Sequence, residues 1–286
     1  MESSGRIAER FAVCKKAGRP ALVAYLTAGD PQPERTPALA LVLERGGADV
    51  LELGVPFSDP IADGPVIQQA SQRALEAGTD VGAVLEIARE IRRASEMPMV
   101  LFSYLNPLLR YGFERLAQEA RAVGVDGVLL TDLSVEEAAG PVAQLRAQGL
   151  DTIFLAAPTS TERRLKLVAE YSSGFVYVIS RTGVTGERAA LEAGVEGLCR
   201  RLRQWTDKPL AVGFGVSTRE HVEALGGYAD GAVVGSAIMR IVDAEPGAAD
   251  IEERLEGYVS ELTRLRMASA GKPLRIATAG KPGSGK

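Results

Sequence analysis

The chain has 286 residues, of which 46% are hydrophobic and 24% charged, and its formal net charge is −4. This is a globular composition with enough apolar residues for a large core, and the small negative charge gives no reason to expect nucleic-acid binding. No apolar run approaches the roughly 20 residues of a membrane helix, and the first residues, MESSGRIAERF, lack the apolar stretch of a secretory signal. We therefore expect a cytoplasmic protein.

The predicted elements alternate between strand and helix along the chain. Residues 6–17 form a helical stretch, and eight short apolar runs follow, separated by helical patterns. The runs are ALVAYL near Leu22, DVLEL at Val50, MVLF at Met99, GVLL at Val128, TIFLA at Thr152, FVYVIS at Phe175, PLAVGFG at Leu210 and AVVG at Ala232. Nearly continuous apolar strands indicate burial on both faces, as in a parallel sheet covered by helices.

Eight βα units in one chain predict an α/β fold, a closed (β/α)8 TIM barrel with an extra N-terminal helix. A doubly wound open sheet is the alternative, but it usually has a glycine fingerprint after its first strand, and YLTAGDP lacks one. We predict one barrel domain over residues 1–270. Residues 271–286, rich in Gly, Pro and Lys, are predicted to form a flexible C-terminal tail outside the fold.

Two carboxylates stand out at the second strand and in the loop after it. Glu52 lies within an apolar strand, where burial would raise its pKa and suit it to proton transfer near neutral pH. Asp63 follows in the loop DPIADGP, where a carboxylate could hold a developing positive charge. A structural ion pair for Glu52, and a turn or helix cap for Asp63, remain alternatives.

Glycine-containing segments follow the last three strands: SRTGVTG, GFGVS and VGSA. Because backbone amides at glycine turns and helix N-termini bind oxyanions, three such segments at consecutive strand ends predict a phosphorylated small-molecule ligand. Four aromatic residues at or near strand ends could pack against an aromatic ring. They are Tyr25, Phe102, Tyr104 and Tyr177.

Other chemistry finds little support in the sequence. The one histidine, His221, lies in a helical pattern, and the two cysteines, Cys14 and Cys199, are far apart without a CxxC neighbour. We therefore predict no metal site, and we expect both cysteines to be free thiols in a reducing compartment.

The segments YLTAGDP, LELGVPFSDPIADGP, SRTGVTG, GFGVS and VGSAI, in this order, resemble the tryptophan synthase alpha chain family. The resemblance covers nearly the whole chain, from about Ile7 to about Arg266, and the second segment is the most specific because it carries both carboxylates at the family's spacing. It implies a lyase that splits indole-3-glycerol phosphate into indole and glyceraldehyde 3-phosphate by retro-aldol cleavage, in tryptophan biosynthesis. Such a cleavage needs no metal or organic cofactor.

The resemblance also implies a role for individual residues. Glu52 matches the catalytic acid/base, Asp63 matches the carboxylate that binds the indole N–H, and Tyr177 matches the tyrosine that positions Glu52 and the substrate. The positions that match the indole pocket are Tyr25, Ile67 and Phe102. Those that match the phosphate site are Gly186, Gly213, Phe214, Gly215, Gly235 and Ser236, and Thr185 matches a loop residue that bonds the catalytic aspartate when the loop closes.

A partner is implied as well: the tryptophan synthase beta chain, a pyridoxal phosphate enzyme, in an α2β2 complex. Pro56 and Asp59 match positions at that contact, whereas Ser134 stands near it where the family usually has a proline. A free-standing lyase that releases indole is the alternative within the same chemistry.

Two further alternatives are a different phosphate-binding barrel and a non-catalytic barrel that only activates a partner. The first would usually have a catalytic lysine at a strand end, whereas Lys166 and Lys208 lie in helix or loop patterns. The second is disfavoured because Glu52 and Asp63 are both present.

Overall fold

Eight parallel strands close into a barrel in the computed structural model, which describes residues 5–179, 188–213, 215–244 and 250–264. Each strand pairs with its neighbour along the chain, and the eighth pairs with the first. The strands are β1 Ala21–Thr27, β2 Val50–Gly54, β3 Met99–Ser103, β4 Gly127–Leu130, β5 Asp151–Ala156, β6 Val176–Ile179, β7 Leu210–Gly213 and β8 Gly231–Val234. The predicted barrel is therefore confirmed, and each strand lies where an apolar run predicted it.

Helices surround the barrel. Within the described ranges the α-helices are α1 Arg6–Lys16, α2 Thr36–Arg45, α3 Pro65–Glu76, α4 Val81–Ala94, α5 Leu105–Tyr111, α6 Phe113–Ala122, α7 Ala139–Ala147, α8 Glu162–Tyr171, α9 Arg188–Leu202, α10 Arg219–Leu225, α11 Ser236–Ala244 and α12 Ile251–Thr263. Short 3-10 helices span Pro33–Arg35 and Val135–Glu137. Helices α3, α5 and α11 each come between a strand and a second helix, so they border the barrel mouth. None of the helices in these ranges combines the length and apolar character needed to cross a membrane.

The lower part of the barrel interior is apolar. Each strand, or the residue just before it, contributes a buried side chain to a single cluster: Val23, Val50, Val100, Leu129, Ile153, Phe175, Ala211 and Val233, with Ala21 as a second residue from β1. Alternate residues of a barrel strand point inward, so the inward residue two positions further along each strand lies one layer higher. The lower layer therefore forms an apolar floor beneath the mouth.

Helix α1 closes the bottom of this interior cluster. Its buried residues Ile7, Phe11 and Cys14 recur at helical spacing and therefore share one face, and they pack in the same cluster as the lower layer. The ring of Phe11 lies 5.6 Å from that of Phe175, between centroids. The predicted N-terminal helix is thus confirmed, and its apolar stripe completes the core.

Three aspartates link neighbouring strands by hydrogen bonds at the bottom of the barrel. Three strands, β2, β4 and β8, are each preceded directly by an aspartate whose carboxylate accepts a hydrogen bond from a backbone N–H at the start of the previous strand. The pairs are Asp49 with Leu22 (2.9 Å), Asp126 with Met99 (2.8 Å) and Asp230 with Leu210 (2.8 Å). Arg19, Arg92 and Arg203 bind these carboxylates in the same order. Each of these carboxylates therefore has both a charged and a backbone partner, and such partners offset the loss of hydration for Asp49 and Asp126, which are buried.

Arg73 joins three segments at the side of the mouth. Its guanidinium forms two hydrogen bonds with Asp30 in the loop after β1, at 2.7 and 2.8 Å, and an ion pair with Asp243 of α11 at 2.7 Å. The Asp30 side chain is only 1% exposed, whereas that of Asp243 is 39% exposed. Arg73 itself lies on α3, so its side chain links both mouth helices to the first loop.

Candidate active site

One layer above the apolar floor, the inward-facing side chains at the mouth of the barrel are mostly aromatic, and one of them is a carboxylic acid. Tyr25, Glu52, Phe102, Leu155 and Tyr177 each follow a floor residue by two positions on the same strand. This layer therefore combines three aromatic rings with one carboxyl group. The rings of Tyr25 and Phe102 meet edge to face, with centroids 5.2 Å apart, so they form one aromatic wall.

Glu52 is buried at the middle of β2 with only 1% of its surface exposed. Neither carboxyl oxygen has a hydrogen-bond partner among the described residues. Desolvation in this apolar layer raises the pKa of Glu52 from 4.5 to about 8. The group is thus largely protonated at neutral pH, and it can give up a proton and regain it near that pH.

Asp63 lies in the loop between β2 and α3. Its carboxylate accepts a hydrogen bond from the Tyr104 hydroxyl at 3.0 Å. Burial raises the pKa of Asp63 to about 6, and the Tyr104 hydrogen bond acts in the opposite direction. Asp63 is therefore mostly ionised at neutral pH while Glu52 is mostly protonated, which assigns the two carboxyl groups different chemical roles.

Two tyrosine hydroxyls, those of Tyr25 and Tyr177, each interact electrostatically with both carboxyl groups. The pKa values of Tyr25 and Tyr177 are raised by desolvation and also by the charges of both Glu52 and Asp63. Because both tyrosines respond to both carboxylates, the four groups share one small region of the mouth.

Glycines make room for these two rings. A Cβ atom at Gly54 would overlap the Tyr25 hydroxyl, and one at Gly213 would overlap the Tyr177 hydroxyl. Gly213, which was predicted from its glycine segment, therefore also has a packing reason to be glycine. Its missing side chain leaves room for the Tyr177 ring beside β7.

Two of the three predicted glycine segments lie at the ends of the neighbouring strands β7 and β8, and the third, SRTGVTG, lies outside the described residues. Gly213 ends β7, Gly215 follows with a φ of +73° that favours glycine, and Gly235 directly precedes α11. Ser236 is the first residue of that nine-residue helix, whose N-terminal amides can bind an anion. The other predicted members, Thr185, Gly186 and Phe214, lie outside the described residues.

The loop after β7 is anchored at Ser217. The Ser217 amide donates to Nδ1 of His221 at 3.2 Å, and the Tyr258 hydroxyl of α12 donates to the Ser217 carbonyl at 3.0 Å. His221 lies on α10, so the predicted helical position is confirmed, and its ring supports the glycine loop.

The remaining predicted residues surround this mouth. Ile67 is buried in the first turn of α3, four positions after Asp63. Pro56 is buried, whereas Asp59 is exposed and accepts a hydrogen bond from Ser58 at 2.5 Å. The exposed part of this loop also presents Ile61, whose side chain is 86% exposed.

The same sequence pattern and barrel occur in known proteins. The family model for the tryptophan synthase alpha chain matches residues 11–267. The chain belongs to the tryptophan synthase alpha chain family. Curated alpha chains of this name from Solibacter usitatus and Geobacter sulfurreducens are 59% and 48% identical, over 91% and 90% of this chain and 97% of each relative.

Solved structures agree with this family. A tryptophan synthase alpha subunit from Legionella pneumophila has a TM-score of 0.83 and 35% identity, over 91% of this chain and 97% of that one. A chain from Pyrococcus furiosus, described as part of a tryptophan synthase α2β2 complex, has a TM-score of 0.79 and 42% identity, over 85% of this chain and 98% of that one. As a tryptophan synthase alpha chain, this protein is a lyase that cleaves indole-3-glycerol phosphate.

One contact at this alpha-chain site had no counterpart in the sequence prediction. Tyr104 was noted only as an aromatic residue near a strand end, yet its hydroxyl bonds both Asp63 and the backbone N–H of Ala62. A tyrosine directly after a strand end is the only sequence signal of this contact. The sequence does not show that this hydroxyl contacts the β2–α3 loop, because that contact depends on how the loop folds.

Proposed function

We propose that this chain cleaves indole-3-glycerol phosphate with Glu52 as the acid and then the base, and with Asp63 as the acceptor for the indole N–H. The observation that carries the proposal is the state of Glu52. Its carboxyl group is buried, accepts no hydrogen bond from the described residues and has a pKa of about 8. At neutral pH it therefore holds the proton that the first step requires.

In the first step, protonated Glu52 gives its proton to C3 of the indole ring, and the ring becomes a positively charged indolenine. In the second step, the Glu52 carboxylate removes the proton from the hydroxyl on the adjoining side-chain carbon. The bond between that carbon and C3 then breaks, and its electrons return to the ring. Indole and glyceraldehyde 3-phosphate result, and Glu52 is again protonated.

Asp63 stabilises the positive ring formed in between. Its carboxylate accepts a hydrogen bond from the indole N–H, and this bond strengthens as the nitrogen becomes positive. Because the pKa of Asp63 is about 6, this carboxylate carries its charge at neutral pH. Tyr177, whose own pKa is raised by burial and by Glu52, positions Glu52 and the substrate from the opposite strand.

The two ends of the substrate use different parts of the mouth. The indole ring packs against Tyr25, Ile67 and Phe102, which form an apolar wall. The phosphate binds the glycine segments at Gly213, Gly215, Gly235 and Ser236, with Gly186 and Phe214 as further members and Thr185 in the loop after β6. Positive charge at the N-terminus of α11 favours the phosphate at that end.

The beta chain is the proposed partner, in an α2β2 complex like the one described for the Pyrococcus furiosus protein. Asp59 and the exposed Ile61 lie on the same loop as the reactive Asp63, so a partner that covers this loop would also limit its movement. Pro56 is buried and would support that contact from beneath. We place the enzyme in the cytoplasm, and we expect residues 271–286 to lie outside the catalytic domain.

The test is indole release from indole-3-glycerol phosphate by the wild type and by Glu52→Gln, each with an excess of beta chain. Glutamine keeps the shape of the side chain but cannot transfer the proton, so turnover should fall roughly 10²- to 10⁴-fold. The affinity for an unreactive indole-alkyl phosphate should be retained, because the groups that bind indole and phosphate are unchanged.

Glu90→Gln is the matched control, because Glu90 is exposed on α4, away from the mouth. Its turnover should equal that of the wild type. An unimpaired Glu52→Gln enzyme would remove Glu52 from the proton-transfer steps. Equal activity without any beta chain would instead favour a free-standing lyase.

A further inference from the structure

Tyr104 is held rigidly between two loops of the mouth. It directly follows β3 and precedes α5, and it is only 3% exposed. The Ser103 hydroxyl donates to its carbonyl oxygen at 2.9 Å, and the next amide, of Leu105, donates to the Asp132 carboxylate at 2.8 Å. Hydrogen bonds on both sides therefore fix the backbone that carries this ring.

The Tyr104 side chain contacts the β2–α3 loop at both of its ends. Its ring packs against Phe57 near the start of the loop, with centroids 5.2 Å apart. Near the end of the loop, its hydroxyl contacts the Ala62 amide at 2.9 Å and the Asp63 carboxylate at 3.0 Å. One side chain thus connects both ends of the loop that carries Asp63.

The direction of these two hydrogen bonds follows from the groups themselves. A backbone N–H can only donate, so the Tyr104 hydroxyl accepts from Ala62. The single hydroxyl proton therefore remains for Asp63, and it can be donated only to an oxygen that accepts. This arrangement favours the ionised form of Asp63 and fixes which oxygen faces away from the ring.

We propose that Tyr104 is a positioning residue that orients the Asp63 carboxylate and keeps it ionised for the indole N–H. The proposal rests on the role proposed for Asp63. The Tyr104 hydroxyl thus keeps the Asp63 carboxylate ionised within a partly buried loop. Tyr104 acts through Asp63 and needs no contact with the substrate.

A pH dependence follows from this arrangement. Burial raises the pKa of Asp63 to about 6, and the hydrogen bond from Tyr104 opposes that rise. The other titratable groups of the mouth that interact with Asp63 are Tyr25 on β1 and Tyr177 on β6, and these two also interact with Glu52 on β2. Without the Tyr104 hydroxyl, the pKa of Asp63 should rise further, so the acid limb of kcat/KM should move to higher pH.

The experiment is Tyr104→Phe, assayed for indole release across the pH range with saturating beta chain. Phenylalanine keeps the packing against Phe57 and removes only the hydroxyl. We expect kcat/KM at neutral pH to fall roughly 10- to 100-fold, as for a lost hydrogen bond to a charged group. We also expect the acid limb to move up by about one pH unit, with unchanged inhibition by inorganic phosphate.

Tyr111→Phe is the matched control. Tyr111 ends α5, the helix that directly follows Tyr104, and its hydroxyl also donates to a carboxylate, that of Glu119, in this case outside the mouth. The substitution removes the same hydroxyl group seven positions further along the chain. It should leave both kcat/KM and the position of the acid limb unchanged.

Asp63→Asn separates this inference from the proposed function. If Asp63→Asn were fully active, the role of Asp63 would be wrong, and that of Tyr104 with it. If Asp63→Asn were impaired but Tyr104→Phe kept the wild-type pH profile, only the positioning role would be overturned. A Tyr104→Phe enzyme that lost activity equally at every pH would also overturn it, because a purely structural role lowers activity without moving the acid limb.

Discussion

Replacing Glu52 by glutamine is expected to stabilise the folded chain at neutral pH even though it removes the proposed acid/base. In the folded chain, burial raises the pKa of this carboxyl group from 4.5 to about 8. In the unfolded chain the same group is hydrated and ionises near its ordinary value. Between these two values the folded chain holds a proton that the unfolded chain releases. Stability should therefore decrease as the pH rises through this interval.

The magnitude follows from the width of that interval. Each pH unit between the two pKa values lowers the free energy of unfolding by about 1.4 kcal/mol. Below about pH 4.5 the carboxyl group of Glu52 is protonated in both the folded and the unfolded chain, and none of this stability is lost. The loss amounts to roughly 3 kcal/mol at pH 7 and levels off near about 5 kcal/mol above pH 8. Glutamine is neutral at every pH, so Glu52→Gln should avoid this loss.

The assay is urea unfolding of the wild type and of Glu52→Gln at about pH 5, 6, 7 and 8. Subtracting the wild-type free energy from that of the variant cancels every other titrating group. The difference should be small near pH 5 and should grow with pH, whereas the exposed control Glu90→Gln should give a nearly constant difference. A Glu52→Gln difference that stayed flat from pH 5 to 8 would refute the reasoning.

Two further substitutions test the support around the mouth. Arg73→Met leaves the buried Asp30 carboxylate without its charged partner and should destabilise the fold by about 3–5 kcal/mol. Asp243→Asn should cost less than about 1 kcal/mol, because the ion pair between Arg73 and Asp243 is partly exposed. Equal losses of unfolding free energy for the two variants in urea would contradict this difference. Ser134 has a φ of −62°, the value that proline adopts, so Ser134→Pro should raise stability by about 0.4–1 kcal/mol. A lower thermal midpoint for Ser134→Pro than for Ser134→Ala would show that the preceding residue cannot take the extended backbone that proline requires.

The sequence predicts the barrel and the inward direction of Glu52 because both depend on local patterns, whereas the roles of Glu52 and Asp63 come from the family resemblance and remain predictions. Apolar runs of strand length separated by helical periods are sufficient to predict eight strands, and all eight were confirmed. The same period of two assigns Glu52 to the inward face, because Val50 and Glu52 must point the same way. Burial on that face is what raises the pKa of Glu52.

The contacts between loops could not be predicted in this way. Tyr104 and Asp63 are 41 positions apart, and Arg73 and Asp30 are 43 apart. No short-range period relates such pairs, and their meeting depends on how α3 and α5 follow their strands. Thr185, Gly186 and Phe214 lie outside the described part of the chain, and their roles, like those of the other site residues, remain predictions.

Glu52 at the mouth differs from three aspartates at the bottom of the barrel. At the bottom, Asp49, Asp126 and Asp230 each have a backbone N–H and an arginine, so their charge stabilises the fold. A similar partner for Glu52 would also stabilise the fold, but it would lower the pKa of the carboxyl group and leave no proton for carbon at neutral pH. Among the described residues Glu52 has no such partner, and this costs stability at neutral pH but suits the acid/base role proposed for it. Glu52→Gln should therefore raise stability at neutral pH and lower turnover at the same time.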